Sequence, residues 1–302
     1  MKERRERKLV LMDGNSIAYR AFFALPQLST SQGVPTNAVY GFCLMLMRLL
    51  EEERPSHMAV AFDAGKATFR HQDYTLYKAG RQETPAELSQ QFPLIRQVLE
   101  AFSIPWLEME GYEADDILGT LSRQAEQQGM RCLIVTGDRD LLQLVSPLTT
   151  VRLTRRGISE VEDYDEERLY EKYGLRPHQI IDLKGLMGDS SDNIPGIPGV
   201  GEKTALKLLH QFSSLEEILA RKEELPGKKL REKVAEHEEQ ALLSKRLATI
   251  SRDLPLAVAL EQVTLSPYDP RKVAELFRRL EFSSLAERLD VAEAPPESPP
   301  TL

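Results

Sequence analysis

The stretch KLVLMDGNS, residues 8–16, carries four apolar residues into an acid and then a polar turn. An apolar run this short and unbroken suits a strand buried on both faces of a sheet; a half-exposed strand would alternate. HMAVAFD at 57–63 and RCLIVTGD at 131–138 repeat the form, and TTVRL at 149–153 is a fourth candidate. Between these runs, over 37–53, 85–103 and 113–128, apolar residues recur three and four apart, the spacing of a helix with one buried face. The helix at 85–103 has its own start signal. Thr84 is placed to cap it, Pro85 to open its first turn and Glu87 to close a capping box, while Pro93 is expected to kink it. Strand and helix in alternation predict an α/β core with a parallel sheet.

From about residue 166 the pattern becomes helical throughout, and the last stretch, VAEAPPESPPTL, is proline-rich, acidic and without period. The expected organisation is an α/β core over 1–175, a smaller all-helical domain over 176–290 and a disordered linker or tail over 291–302. The length of 302 residues suits one large or two ordinary domains, and 41% hydrophobic with 28% charged residues is normal for a globular chain. The most apolar stretch, YGFCLMLMRLL, is interrupted by Arg48, so no membrane partner is expected. The basic start MKERRERKLVLMDGNS has too short an apolar segment for an export signal, which points to the cytoplasm. Cys43 and Cys132 both lie in apolar runs and read as buried thiols in a reducing compartment.

Three of the strand candidates end in acid, at Asp13, Asp63 and Asp138. In parallel α/β sheets ligands bind outside the carboxyl ends of the strands. Asp140 follows within two residues, and EGYEADDILGTL (110–121) would aim a helix start with Glu113, Asp115 and Asp116 at the same crevice. At 100° per residue Glu113 and Asp116 lie about 60° apart, with Asp115 farther round. In LMGDSSDNIPG, Asp189 and Asp192 are three apart, so one helical turn would put both on one face. Each motif alone is ordinary turn or capping chemistry. Together they form a carboxylate cluster that cannot stay ionised without cations. Carboxylates without His or Cys partners select Mg²⁺ or Mn²⁺. Two such ions in a carboxylate cage are the usual apparatus for cutting phosphodiesters.

The net charge of −8 argues against a nucleic-acid partner, but the signs are segregated. TFRHQDYTLYKAGRQ sets Arg70, Lys78 and Arg81 among Tyr74 and Tyr77, and residues 221–233 carry six basic side chains against three acidic. Basic residues neutralise phosphates and aromatics stack on unpaired bases. NIPGIPGVGEKTALKLL (193–209) places Gly196, Gly199 and Gly201 before a helix that carries Lys203 and Lys207. Such a turn brings backbone N–H groups up to phosphate, in the manner of a helix–hairpin–helix element. It lacks the spacing of a P-loop.

LMDGNSIAYRAFFA, VAFDAGKATFR, YKAGR, GYEADDILGTL, TGDRDLLQLV and GLMGDSSDNIPGIPGVGEKTA, in this order over residues 8–290, closely resemble the 5′-nuclease domains of bacterial DNA polymerases I. These belong to the 5′→3′ exonuclease and flap endonuclease family, and the wording is most similar to the Bacillus type. The resemblance implies a PIN-like nuclease core with a helical arch over about 66–95, then a helical domain with a helix–two-turn–helix element. It implies two or more Mg²⁺ ions, with Mn²⁺ able to substitute. Asp13, Asp63, Glu113, Asp115 and Asp116 would serve one side, and Asp138, Asp140, Asp189 and Asp192 the other. Asp13, Asp116, Lys78 and Arg81 would be catalytic, Tyr77 would stack on a base, and Arg20 would touch phosphate. The glycine-rich element would hold duplex DNA, often with K⁺. The implied partners are DNA with a 5′ flap, nick or RNA primer, and a covalently attached polymerase domain; the expected chain is a monomer. A PIN-type ribonuclease, a non-catalytic DNA-binding module and a metal-dependent phosphatase remain as alternatives.

Overall fold

The computed structural model describes residues 7–65, 67–155, 157, 159–256 and 258–289. The basic start at 1–6, Lys66 and the proline-rich stretch 291–302 lie outside the described residues. The strands are β1 (Lys8–Asp13), β2 (His57–Ala61), β3 (Trp106–Leu107), β4 (Arg131–Thr136), β5 (Thr149–Thr154) and β6 (Val161–Tyr164), and they form one sheet in the order β3-β2-β1-β4-β5-β6. All pairs are parallel except β5 with β6. Alternate side chains go to opposite faces. Leu9, Leu11, Ala59, Ala61, Cys132 and Ile134 enter one core, and Val10, Met12, Met58, Val60, Leu133 and Val135 enter the other. Both faces are covered, which is why these strands read as unbroken apolar runs. The remaining two strands left no such signal. β3 is two residues long, and β6 is an acidic edge strand whose Asp163 pairs across to Arg152 at 2.6 Å.

In chain order the helices are α1 (Gly14–Ala24), α2 (Asn37–Glu53), α3 (Phe69–Asp73), α4 (Ala86–Ser89), α5 (Phe92–Ala101), α6 (Ala114–Gln127), α7 (Glu166–Tyr173) and α8 (Gln179–Met187), followed by α9 (Glu202–Gln211), α10 (Leu215–Ala220), α11 (Lys228–Glu236), α12 (Glu238–Ala248), α13 (Pro270–Arg279) and α14 (Ser283–Arg288). The single helix anticipated over 85–103 is instead α4 and α5. Pro85, not Thr84, holds the N-cap position, and Pro93 starts α5 rather than kinking a longer helix. The break is held by Gln91. Its fully buried side chain accepts from Ala38 N at 2.8 Å and Val39 N at 3.1 Å, closing the open start of α2.

The helical half packs directly on the sheet. Ala205, Leu208, Leu215 and Ile218 share one continuous core with Leu9, Ile117 and Ile134. Farther on the chain returns to the other face of the sheet. Thr264 bridges His57 of β2, and Val273, Leu276 and Phe277 of α13 join Leu46 and Phe102. Within the stretch 176–290 the packing changes face, the earlier helices joining one core and α13 the other. The reason is the apolar stripe of α13, which covers the surface that α2 and α5 leave open.

The strand order reverses at β1, with β2 and β3 on one side and β4 and β5 on the other. That reversal opens a crevice at the carboxyl ends of β1 and β4. Asp13 ends β1, and Asp138 follows β4 by two residues. Gly14 is obligatory here, because a Cβ would lie 2.3 Å from the Phe62 ring. That close approach brings the chain after β2 against the turn after β1, where Asn15 Oδ1 accepts from Asp63 N at 2.9 Å.

Candidate active site

Four acids rim the crevice. Asp13 is 5% exposed; its carboxylate accepts from Ser16 N at 2.9 Å and from the Thr136 hydroxyl at 2.8 Å. Burial pushes it up to about 7 against those two hydrogen bonds, and the charges of Asp63 and Asp138 add to the rise. Asp63 is exposed at the rim, yet protein crowds its carboxyl enough to raise it, while Ala114 N donates to it at 2.8 Å. Asp115 stands well above the usual carboxylate range, first through burial and then through Asp13, Asp138 and Glu113. Asp138 caps the turn that follows β4 by accepting from Asp140 N at 2.9 Å.

The other acids are held by cations. Lys78 lies 2.7 Å from Glu113 and 3.8 Å from Asp192, and Arg81 pairs with Asp192. Tyr77 is 3% exposed, and its hydroxyl donates to Asp192 at 3.1 Å and to Glu113 at 3.3 Å. Lys184 of α8 sits 2.7 Å from Asp140 and also pairs with Asp189. Burial pushes Asp140 up to about 7, and Asp138 raises it further, despite Lys184. Asp189 is instead drawn below its ordinary value, because Lys184 and the Ser191 donors outweigh its burial. Asp116 is fully buried; Arg70, 2% exposed, grips both its oxygens at 2.8 Å.

Several expected placements change. Asp115, not Asp116, joins Asp13 and Asp138. Glu113 is the N-cap of α6 with extended backbone (φ −96°, ψ 161°), so the 100° rule does not reach it. Asp116 turns inward to accept from Glu113 N at 3.1 Å and Ser251 N at 2.8 Å. Arg70, expected at DNA, is enclosed, and donates to the carbonyls of Leu247 and Thr249 at 2.9 Å as well as to Asp116. Asp189 and Asp192 share no helical face. They lie in a turn closed by the Asp189–Ile194 bridge and serve different cations. Within the anticipated arch, residues 74–81 lie down over Asp192, with Lys78 N donating to its carbonyl at 2.8 Å and Asn193 Nδ2 donating to Leu76 O at 2.7 Å. Tyr77 is thereby withdrawn from the surface. Arg20 bonds the carbonyls of Gly137 at 3.2 Å and Arg155 at 3.0 Å, bracing the turn that carries Asp138. Lys203, Lys207, Gly199 and Gly201 are exposed, and Gly196 is buried. Sequence reasoning passed over Lys184, whose signal was the one basic residue of α8, five residues before Asp189.

Two adjoining family models match the chain: a 5′–3′ exonuclease N-terminal resolvase-like domain over residues 8–174, and a 5′–3′ exonuclease C-terminal SAM fold over residues 175–271. The chain belongs to the 5′–3′ exonuclease family. It is 55% identical to DNA polymerase I of Bacillus caldotenax over 294 residues, 97% of this chain and 34% of that protein. With DNA polymerase I of Bacillus subtilis it is 57% identical over 290 residues, 95% of this chain and 33% of that protein. It thus spans about a third of the length of these relatives. Among solved structures, the zinc-bound 5′-exonuclease of bacteriophage T5 superposes with a TM-score of 0.68 at 20% identity, covering 94% of this chain and 97% of the other. The Rad2 catalytic core superposes at 0.59 and 16% identity, with 94% and 91% covered. Both share the fold of this exonuclease.

The acids of this family member suit a hard divalent cation, being carboxylates throughout. Burial first, and neighbouring carboxylates second, hold Asp13, Asp115 and Asp140 above their ordinary values, so their ionised forms are left undersolvated. Among the described residues no three of them close into a finished cage, and Lys78, Arg81, Lys184 and Arg70 pair with Glu113, Asp116, Asp140, Asp189 and Asp192.

Proposed function

We propose that this chain is a magnesium-dependent, structure-selective nuclease acting at 5′ flaps, nicks and RNA primers, with water attacking the phosphodiester to leave a 5′-phosphate and a 3′-hydroxyl. The observation that carries the reading is the gathering of Asp13, Asp63, Asp115 and Asp138 at the switch point of the sheet, beside Lys78 and Arg81. These four acids would hold one divalent ion, and Asp140 and Asp189, which share Lys184, would serve a second. Ions so held supply an activated water and stabilise the attacking and leaving oxygens, and Mn²⁺ would suit the same ligands. The T5 flap endonuclease described with DNA and metal ions supports this reading.

Lys78 and Arg81 exchange Glu113 and Asp192 for phosphate oxygens once the acids are neutralised, which places positive charge where the transition state gains negative charge. Tyr77 holds Glu113 and Asp192 in place meanwhile. Gly199, Gly201, Lys203 and Lys207 form the exposed grip on the duplex backbone. In its longer relatives the matching stretch is part of a polymerase, and the same covalent arrangement, as a cytoplasmic monomer, is proposed here. The test uses a labelled 5′-flap, a nicked duplex and a single-stranded RNA, each with and without Mg²⁺. Cutting of flap and nick only with Mg²⁺ is expected. Cutting of RNA alone would favour a PIN-type ribonuclease, and binding without cutting a non-catalytic module.

A further inference from the structure

The glycine-rich turn at 196–201 is braced by side chains that lie far from it in the chain. Gly196 N donates to Ser244 Oγ at 2.9 Å, and Gln240 Nε2 donates to the Gly196 carbonyl. Ile197 N reaches back to Leu186 O at 2.8 Å. The outer part of the turn is held from α11, where Lys233 Nζ donates to the Pro198 carbonyl at 2.8 Å. Gly199 has φ 79°, a conformation that favours glycine, and Lys233 Nζ lies against it, 2.4 Å from where a Cβ would stand. Val234, the next residue, is fully buried, and Arg231 Nη1 donates to Leu225 O at 3.0 Å. Those contacts fix the helix that delivers Lys233.

A turn that meets phosphate with carbonyl oxygens facing outward needs a positive charge between the two. Resemblance alone places K⁺ there. These residues do not fit a free ion, because an ammonium already occupies the Pro198 carbonyl and the space beside Gly199. We propose that Lys233 is the built-in cation of the duplex-holding turn. One of its three donors satisfies the Pro198 carbonyl and the others remain for water or a phosphate oxygen. Duplex binding by this chain therefore does not depend on K⁺. The proposal rests on the reading of 196–201 as a duplex grip.

The test is the affinity for a labelled duplex in Ca²⁺, with either K⁺ or tetramethylammonium as the salt at equal ionic strength. Tetramethylammonium is too large to sit on a turn carbonyl. The parent should bind equally in both salts, within about twofold, and Lys233→Arg should match it. Lys233→Met should lose about tenfold in tetramethylammonium, the worth of one charged hydrogen bond, and regain most of it in K⁺. A parent that weakens in tetramethylammonium would overturn the proposal. So would Lys233→Met binding like the parent in both salts, or a loss that K⁺ does not restore. A parent that binds no duplex in either salt would instead sink the duplex grip itself. Melting curves of both variants show that they are folded.

Discussion

Replacing Arg70 with methionine should unfold this protein more readily, and not by way of DNA. The guanidinium is 2% exposed and holds α3 against two other parts of the chain. It gives Asp116 two hydrogen bonds of 2.8 Å, and the carbonyls of Leu247 and Thr249 one each of 2.9 Å. Without it Asp116 is a buried carboxylate with no cation, a loss that costs about 3–5 kcal/mol. The two carbonyls add about 1 kcal/mol each where no water replaces the donor. For a chain of this size the total, about 3–7 kcal/mol, corresponds to a fall in Tm of about 5–11 °C. Thermal and urea melts would measure it. The double variant Arg70→Met/Asp116→Leu should recover much of the loss, since an apolar pair leaves no orphaned charge. The reasoning is refuted if Arg70→Met melts within about 1 °C of the parent while losing duplex affinity, because the guanidinium would then face phosphate.

In chelator, stability should fall as pH rises from about 5, where acids held below their ordinary values such as Glu53, Glu126 and Asp189 are ionised in both states, toward about 7, where Asp13 and Asp140 titrate in the folded state. Over that window the folded protein binds more protons than the unfolded, so the slope of stability with pH is negative. His57, pushed below 6.5 by burial, opposes the trend as one group against Asp13, Asp115 and Asp140. Melts at successive pH values that stay flat or rise would contradict this. Mg²⁺ at a hundredfold over its Kd should stabilise the fold by about 2.7 kcal/mol. Asp115→Asn should raise the metal-free Tm, by removing a like charge, and shrink the Mg²⁺ shift; an undiminished shift would remove Asp115 from the ion site. Lys78→Ala should slow single-turnover cleavage more than it weakens substrate binding, and an effect confined to Kd would assign Lys78 to binding alone.

The central strands were legible because burial on both faces writes an unbroken apolar run, and the acids at their ends follow from the switch-point rule. Hidden from the sequence were matters of direction. Asp116 turned inward, away from Asp115, because Arg70 and the backbone N–H groups of Glu113 and Ser251 claim its carboxylate. Arg70, Lys78 and Arg81 looked alike in one basic run, yet Arg70 is enclosed while Arg81 remains half open to solvent. Nothing local distinguishes them, because the carbonyls that claim Arg70 lie more than 170 residues away. Lys184 and Lys233 escaped notice because Asp140 and the Pro198 carbonyl are brought to them by the packing of α8 and α11.

The most direct test of the central claim is 5′-flap cleavage by the parent and Asp13→Asn across a Mg²⁺ titration. The parent should cut only when Mg²⁺ is present. Asp13→Asn should be slowed by more than about a hundredfold, beyond the usual effect of losing an outer-shell partner of a metal. Flap cleavage at the parent rate by Asp13→Asn, or cleavage by the parent in chelator, would contradict the carboxylate site proposed here.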